Sequence, residues 1–400
     1  MWRTWEPDVS KRQLLVIDAG TMFTPYEKIS PARVVIDGPT IIEAGPVDRV
    51  TIPALAQRID GSQLVLTPGF IDPHVHGSAG RDVMEGSFEA LNTISRALAR
   101  HGTTSFLATT VSAPPNILSE TLSRLGPLLT RTFAGATPLG IHLEGPFICG
   151  AKRGTHPGAS IMDPDSVLLG EWISASKSSI RLLTLAPELA GSQALVTLAL
   201  AQGVRVAMGH SDATLDEATA AAEYGVHYAV HTFNAMRQFL PRDPGIIGAV
   251  LSDDRIFAEI IADGVHVHPS VVRFFAKAKG PERILLVTDA ISATGMPEGN
   301  YPLGRETVTV LGGICRDHDG HLAGSTLTQD TALRNFMNWS GFSLQESLLA
   351  LTVNPAKALG LPGKGMIEPG ADADLTFMDA RHRVVRTFVG GNPVFDGAPA

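Results

Sequence analysis

The chain is 400 residues long, 44% hydrophobic and 18% charged, with a formal net charge of −8. That length supports one large core with an accessory unit, and an acidic balance spread along the chain argues against a nucleic-acid partner, while local charged patches leave an anionic small-molecule substrate open. Cys149 and Cys315 make no disulfide framework, residues 1–7 carry no signal-peptide core and no apolar run is long enough to span a membrane, so a cytoplasmic location without a membrane partner is expected.

From Gln13 to about Leu66, short apolar stretches are broken by turn residues. Leu14-Leu15-Val16-Ile17, Arg33-Val34-Val35-Ile36 and Thr40-Ile41-Ile42-Glu43 read as strands, with Asp37-Gly38 as a hairpin-type turn. The far end of the chain has the same style, in Asp374-Leu375-Thr376-Phe377-Met378 and Val384-Val385-Arg386-Thr387-Phe388-Val389. Such strands at both ends predict a small β-sandwich domain built from both chain termini, residues 1–66 with 362–400, one segment covering the sheet edge left by the other.

Between them strand, loop and helix alternate. Strands are predicted at 64–71, 103–109, 139–143, 180–185, 204–208, 226–230, 256–261 and 283–288. Amphipathic helices fit 87–100, 192–202, 215–224 and 270–279, and Gly102, Gly203 and Gly225 stand where helices end. Eight such units over 67–361 predict an α/β fold, a (β/α)8 TIM-type barrel. An open doubly wound sheet has a similar alternation, but no Gly-x-Gly-x-x-Gly follows the first strand, and polar residues follow nearly every strand rather than two. After the eighth strand, 306–314 and 320–323 read as an inserted β-hairpin, and 328–339 and 344–351 as two helices.

In such a barrel the strand C-termini open on one mouth, so residues distant in sequence meet there. His74 and His76 follow the first predicted strand; spaced i, i+2 on extended backbone, they point to one side and can reach one cation. Two packing histidines give the same spacing, but the place at a strand end favours ligands. Glu144 ends an apolar run beside Gly145-Pro146, where a carboxylate is costly unless paired with a buried Arg or bound to metal. His210 and His231 close two consecutive strands. Each alone reads as a satisfied core histidine; together with Glu144 they make a three-ligand site with room for water. Asp289 follows the last strand and can carry a proton between water and a leaving group, or else cap the next helical turn. His142, opposite Leu143 on its strand, reads as a packing residue.

These segments, in this order, resemble the amidohydrolase superfamily and, within it, the N-acetylglucosamine-6-phosphate deacetylase family. The resemblance rests on residues 68–77, 142–147, 152–156, 209–213, 231–236, 262–266, 287–290 and 322–325, and runs over nearly the whole chain. It implies that Glu144, His210 and His231 are the main metal ligands, that His74 and His76 help hold a second ion, and that Asp289 is the general base and acid. Substrate contacts are implied for His156, in the loop after Glu144, for Asn234 and Ala235 near a phosphate, for Arg242 and His266 as its cationic partners, and for Leu322 and Ala323 along the sugar pocket. The implied cofactor is one or two divalent ions per subunit, zinc, iron, manganese or similar. The implied reaction is deacetylation of N-acetyl-D-glucosamine 6-phosphate, a phosphorylated amino sugar carrying about two negative charges. The implied assembly is a homodimer, with Arg242 acting in its own or the neighbouring subunit. A galactosamine 6-phosphate deacetylase would share the metal set. A non-catalytic scaffold would be expected to lose ligands, and all are present. Taken by itself, Arg242 also reads as an exposed loop residue paired to Asp243.

Overall fold

A computed structural model describes residues 14–397. Residues 1–13 and 398–400, and with them the reading of residues 1–7, lie outside the described residues. Eight parallel strands form the barrel: β1 (Phe70–Val75), β2 (Thr103–Thr110), β3 (Thr137–Glu144), β4 (Ile180–Leu185), β5 (Arg205–Met208), β6 (Tyr228–Ala229), β7 (Phe257–Ile260) and β8 (Ile284–Leu286). They pair in sequence order. The ring closes through a parallel bridge between Val75 and Ala290, and the Asp289 N–H donates to the His74 carbonyl at 3.1 Å.

The barrel strands are buried on both faces, which is why they read as nearly continuous apolar runs. Leu107, Leu182, Tyr228 and Leu285 meet in one cluster. Phe70, Phe106, Ile141 and Leu143 belong to another, which takes in Trp172, Phe275 and Leu91 of the surrounding helices. Each fully buried side chain of this size contributes roughly 1.5–3 kcal/mol. Helix starts follow local chemistry: the Ser87 hydroxyl caps Phe88–Ala99, and Thr214 with Glu217 forms a capping box on Leu215–Glu223. At Gly102 the chain turns with φ of 85°, and a Cβ there would lie 2.7 Å from the Phe70 ring, so only glycine fits.

Strands from the two termini form a separate eight-stranded sheet, in which Gln57–Pro68 joins Leu15–Phe23 on one side and Leu375–Met378 on the other. Its apolar face gathers Ile17, Val34, Ile36, Phe377 and Phe388. The sheet curls over that face: Thr40 bridges Asp372, and the Gly391 N–H donates to the Ala373 carbonyl beside the Gly38 turn.

Three expectations are corrected. The segment 64–71 is not one barrel strand. Residues up to Pro68 belong to the terminal sheet, and the barrel strand begins at Phe70. The handover falls at Gly69, whose N–H donates to Asp374 while that of Phe70 donates to Gly102; a Cβ on Gly69 would strike Thr104. His74 therefore lies inside β1, and Glu144 is the last residue of β3. The insertion after β8 is a three-stranded meander, Gly299–Leu303, Glu306–Leu311 and Ile314–Arg316, and 320–323 is a turn held by an Arg316–Leu322 bridge. Val353–Leu359 is a helix the sequence reading did not separate.

Candidate active site

The C-terminal ends of the barrel strands open on a cavity of about 320 Å³. Glu144 is buried at its floor, with imidazoles converging on it. Its Oε1 lies 3.2 Å from His74 Nε2, 3.1 Å from His231 Nε2 and 3.4 Å from His210 Nε2. Its Oε2 lies 3.2 Å from His76 Nε2 and 3.4 Å from His156 Nε2. Asp289 Oδ1 stands 3.3 Å from His76 Nε2 and 3.6 Å from His74 Nε2.

Backbone conformation aims these groups. His210, His231 and Asp289 have φ of 46°, 28° and 50°, the left-handed region, as do Phe233 and Ala235. Each such residue costs roughly 1–3 kcal/mol and persists because the packing around it leaves no alternative. Strain gathered at the ends of three barrel strands marks the mouth as the part of the fold that stability alone does not explain.

Hydrogen bonds sort the histidines. The ring Nδ1 of His210 faces the Lys152 carbonyl at 2.9 Å, and that of His74 faces Glu259 at 2.9 Å. Both partners are acceptors, so each Nδ1 carries a proton and Nε2 is the ring atom left to face the cavity. His156 is the reverse. Its Nδ1 accepts the Ser112 backbone N–H at 3.1 Å, so its Nε2 is a donor turned toward the Glu144 side of the cavity. The first two have the tautomer of metal ligands, and the third that of a donor to an oxyanion.

Electrostatics agree. Burial alone would discharge these groups, yet the carboxylates Glu144, Glu259 and Asp289 raise His74 well above its ordinary pKa. His76 is buried too, and Asp289 and Glu144 raise it to about 9. Burial works to raise Glu144 and Asp289, but the imidazoles hold both below the usual carboxylate range. Burial and neighbouring imidazoles push His210 down to about 4, keeping it neutral. Among the described residues, donors from His74, Glu144 and His231, and from His74, His76 and Asp289, lie within 4.8 Å of one another, and His74 Nε2 is buried without a hydrogen-bond partner. A buried negative field that draws positive charge onto His74 and His76, lined by imidazole and carboxylate ligand atoms, fits a divalent cation.

The cavity brings together His76, Glu144, His156, His210, His231, Asn234, Ala235, His266, Asp289 and Leu322. His74 lies beneath it, and Ala323 is buried behind it against Ile291 and Cys315. His266 gives its Nδ1–H to Asp263 at 2.7 Å; burial opposes its charge, but Asp263 raises its pKa, favouring the cation. His142 is buried below the site, 2.7 Å from Thr184 Oγ1, as a packing residue. Arg242 is exposed and does not line the cavity of its own chain, nor does it pair with Asp243, whose carboxylate is taken by Arg237 at 2.7 Å. Among the lining residues that the sequence does not single out, two are basic. Arg316 enters from the last strand of the meander and His321 from the turn after it, and Arg316 is the one Arg in the lining among the described residues. Nothing local in Ile314-Cys315-Arg316-Asp317 marks it. Glu259 does carry a local signal, a carboxylate inside the otherwise apolar run Ile256–Ile261, and it is fully buried.

The amidohydrolase family profile matches residues 65–394. Similar proteins include N-acetylglucosamine-6-phosphate deacetylase of Lysinibacillus sphaericus, 38% identical over 334 residues and covering 84% of this chain and 86% of that one. N-acetylgalactosamine-6-phosphate deacetylase of Escherichia coli O157:H7 is 38% identical over 328 residues, covering 82% and 87%. Among solved structures, a mutant N-acetyl-D-glucosamine-6-phosphate deacetylase of Mycobacterium smegmatis in complex with N-acetyl-D-glucosamine-6-phosphate superposes with a TM-score of 0.89 at 33% identity, covering 96% of this chain and 100% of that one.

Proposed function

The chain belongs to the amidohydrolase family, and from that premise we propose that it hydrolyses N-acetyl-D-glucosamine 6-phosphate to D-glucosamine 6-phosphate and acetate. The observation that carries this is the meeting of Glu144, His210, His231 and Asp289 in one cavity that also holds His266. Glu144, His210 and His231 would hold the main divalent ion, with His74, His76 and Asp289 beside a second position. A cation bound there supplies Lewis acidity toward the amide carbonyl and lowers the pKa of water.

The chain's own residues do the rest, drawn from 67–361. Asp289, held charged by its imidazole neighbours, accepts the proton of the attacking water and returns it to the departing nitrogen. One C–O bond forms and the C–N bond breaks, so the proton balance closes on Asp289. His156 donates from Nε2 to the carbonyl oxygen as it gains charge, a contribution that grows in a site shielded from water. His266, with Asn234 and the Ala235 backbone, meets the phosphate, while Leu322, backed by Ala323, bounds the sugar ring. Arg242, exposed and outside its own chain's cavity, fits a role in the neighbouring subunit of a homodimer. A cytoplasmic location agrees with the two unpaired cysteines.

An assay of acetate release from N-acetylglucosamine 6-phosphate, with quantitation of bound metal, tests the proposal. The equal identity of the N-acetylgalactosamine-6-phosphate deacetylase keeps one second reading, so the galactosamine isomer is assayed alongside. Faster turnover of that isomer would transfer the assignment to it, and no acetate from either sugar would refute both.

A further inference from the structure

We propose that Glu259 is a positioning residue for cation binding: it fixes the ring of His74, and through it the barrel interior sets the occupancy of the second cation position. This rests on the metal-dependent reading above. Glu259 stands on β7 and is 0% exposed. Its Oε2 accepts from His74 Nδ1 at 2.9 Å and from the His231 backbone N–H at 3.0 Å, and its Oε1 accepts the Tyr228 hydroxyl at 2.7 Å. Among the described residues no Lys or Arg pairs with it. A carboxylate buried in this way is costly unless its charge is used, and the three donors aimed at it are drawn from β1, β6 and the turn after β6.

The chemistry that follows is specific. A neutral imidazole carries one N–H, and a carboxylate on Nδ1 places it there, leaving Nε2 as a lone pair. That Nε2 is buried without a hydrogen-bond partner, 3.2 Å from Glu144 and 3.6 Å from Asp289. With Nδ1 committed to Glu259, Nε2 is the ring atom left to face Glu144 and Asp289, and the negative charge crowded there calls for a cation among them. Glu259 also raises the donor strength of Nε2. Tyr228, 2% exposed, keeps the carboxylate from rotating. By taking the His231 N–H as well, Glu259 touches the backbone of a main-site residue held at φ of 28°, so one carboxylate braces both cation positions.

The test titrates purified metal-free wild type, Glu259→Gln, Glu259→Asp and Tyr228→Phe with Zn²⁺ against a competing chelating dye, and records ¹⁵N imidazole correlations of the metal-free proteins. The wild type is expected to take about two ions and to show His74 protonated at Nδ1. Glu259→Gln and Glu259→Asp are expected to weaken the second ion about 10- to 100-fold and to shift the His74 tautomer population toward Nε2–H. Tyr228→Phe, which keeps the carboxylate, is expected to weaken it less, and it carries the test if the Glu259 variants do not fold. A merely structural brace would change stability without moving the tautomer. Two ions of unchanged affinity in the Glu259 variants, or in Tyr228→Phe if it alone folds, with an unchanged His74 signal, overturn the proposal while leaving the metal-dependent reading intact. A wild type that binds no Zn²⁺ refutes that reading and the proposal with it.

Discussion

Asp289→Asn separates proton transfer from everything else in this site. Asparagine has nearly the shape of aspartate and tolerates the left-handed backbone at φ of 50°, so neither a cavity nor new strain is introduced. The side chain is largely buried at the cavity wall, and its contacts with His76 and His74 at 3.3 and 3.6 Å stay within reach of the amide. What disappears is the basic oxygen that takes the proton from water. A positioned general base contributes about 10²–10⁴-fold, so kcat should fall by that factor, roughly 3–5 kcal/mol at about 1.4 kcal/mol per decade. The assay is steady-state acetate release from N-acetylglucosamine 6-phosphate, with bound metal counted on the same samples and substrate affinity measured by calorimetry. Metal content and affinity should hold near wild type. A variant that keeps kcat within tenfold removes Asp289 as the proton carrier; one that loses its metal shows instead that Asp289 assembles the site.

Four further outcomes are expected. Arg242→Ala should raise KM for the phosphorylated sugar roughly tenfold or more while leaving KM for N-acetylglucosamine unchanged, since a charge-assisted contact to phosphate is lost; equal effects on both would rule out phosphate as its partner. Arg316→Ala, removing the Arg that lines the chain's own cavity and holds the Gly320 carbonyl, should show the same split with kcat preserved, and unaltered kinetics would reduce Arg316 to a structural edge residue. His74→Ala combined with His76→Ala should lower the metal count from two toward one, and an unchanged count would show that the pair holds no second ion. Asp330, whose burial is outweighed by His101, Thr328 and Arg334, has its pKa lowered from 3.8 to about 2. A depressed folded pKa stabilises above about pH 4, and the gain is lost as pH falls through 2. Asp330→Asn should therefore cost about 2 kcal/mol in denaturant unfolding at pH 6, with the gap closing toward pH 2; a gap independent of pH would refute this account.

Much of the architecture could be read from local pattern, because period, caps and turn residues act within a few neighbours. Val384–Val389 forms as a strand, as its pattern predicts, and a hairpin turn falls one residue later than read, at Gly38-Pro39, with Asp37 paired to Thr40 as the last residue of its strand. Strand ends were less legible where backbone partners change: the step from terminal sheet to barrel at Gly69 follows from its close approach to Thr104, a contact between segments with no shared pattern.

For the candidate site, residue type and placement after apolar runs were enough to single out Glu144, His210, His231 and Asp289, since a buried polar group at a strand end needs a partner wherever the chain folds. Their convergence, the opposite tautomers of His74 and His156, and the entry of Arg316 into the cavity depended on ring closure. Those contacts join residues up to a couple of hundred positions apart, and their distances, angles and proton positions are set by the packing of the whole barrel. Local sequence dictates which groups are available; only the closed fold dictates which way each one faces.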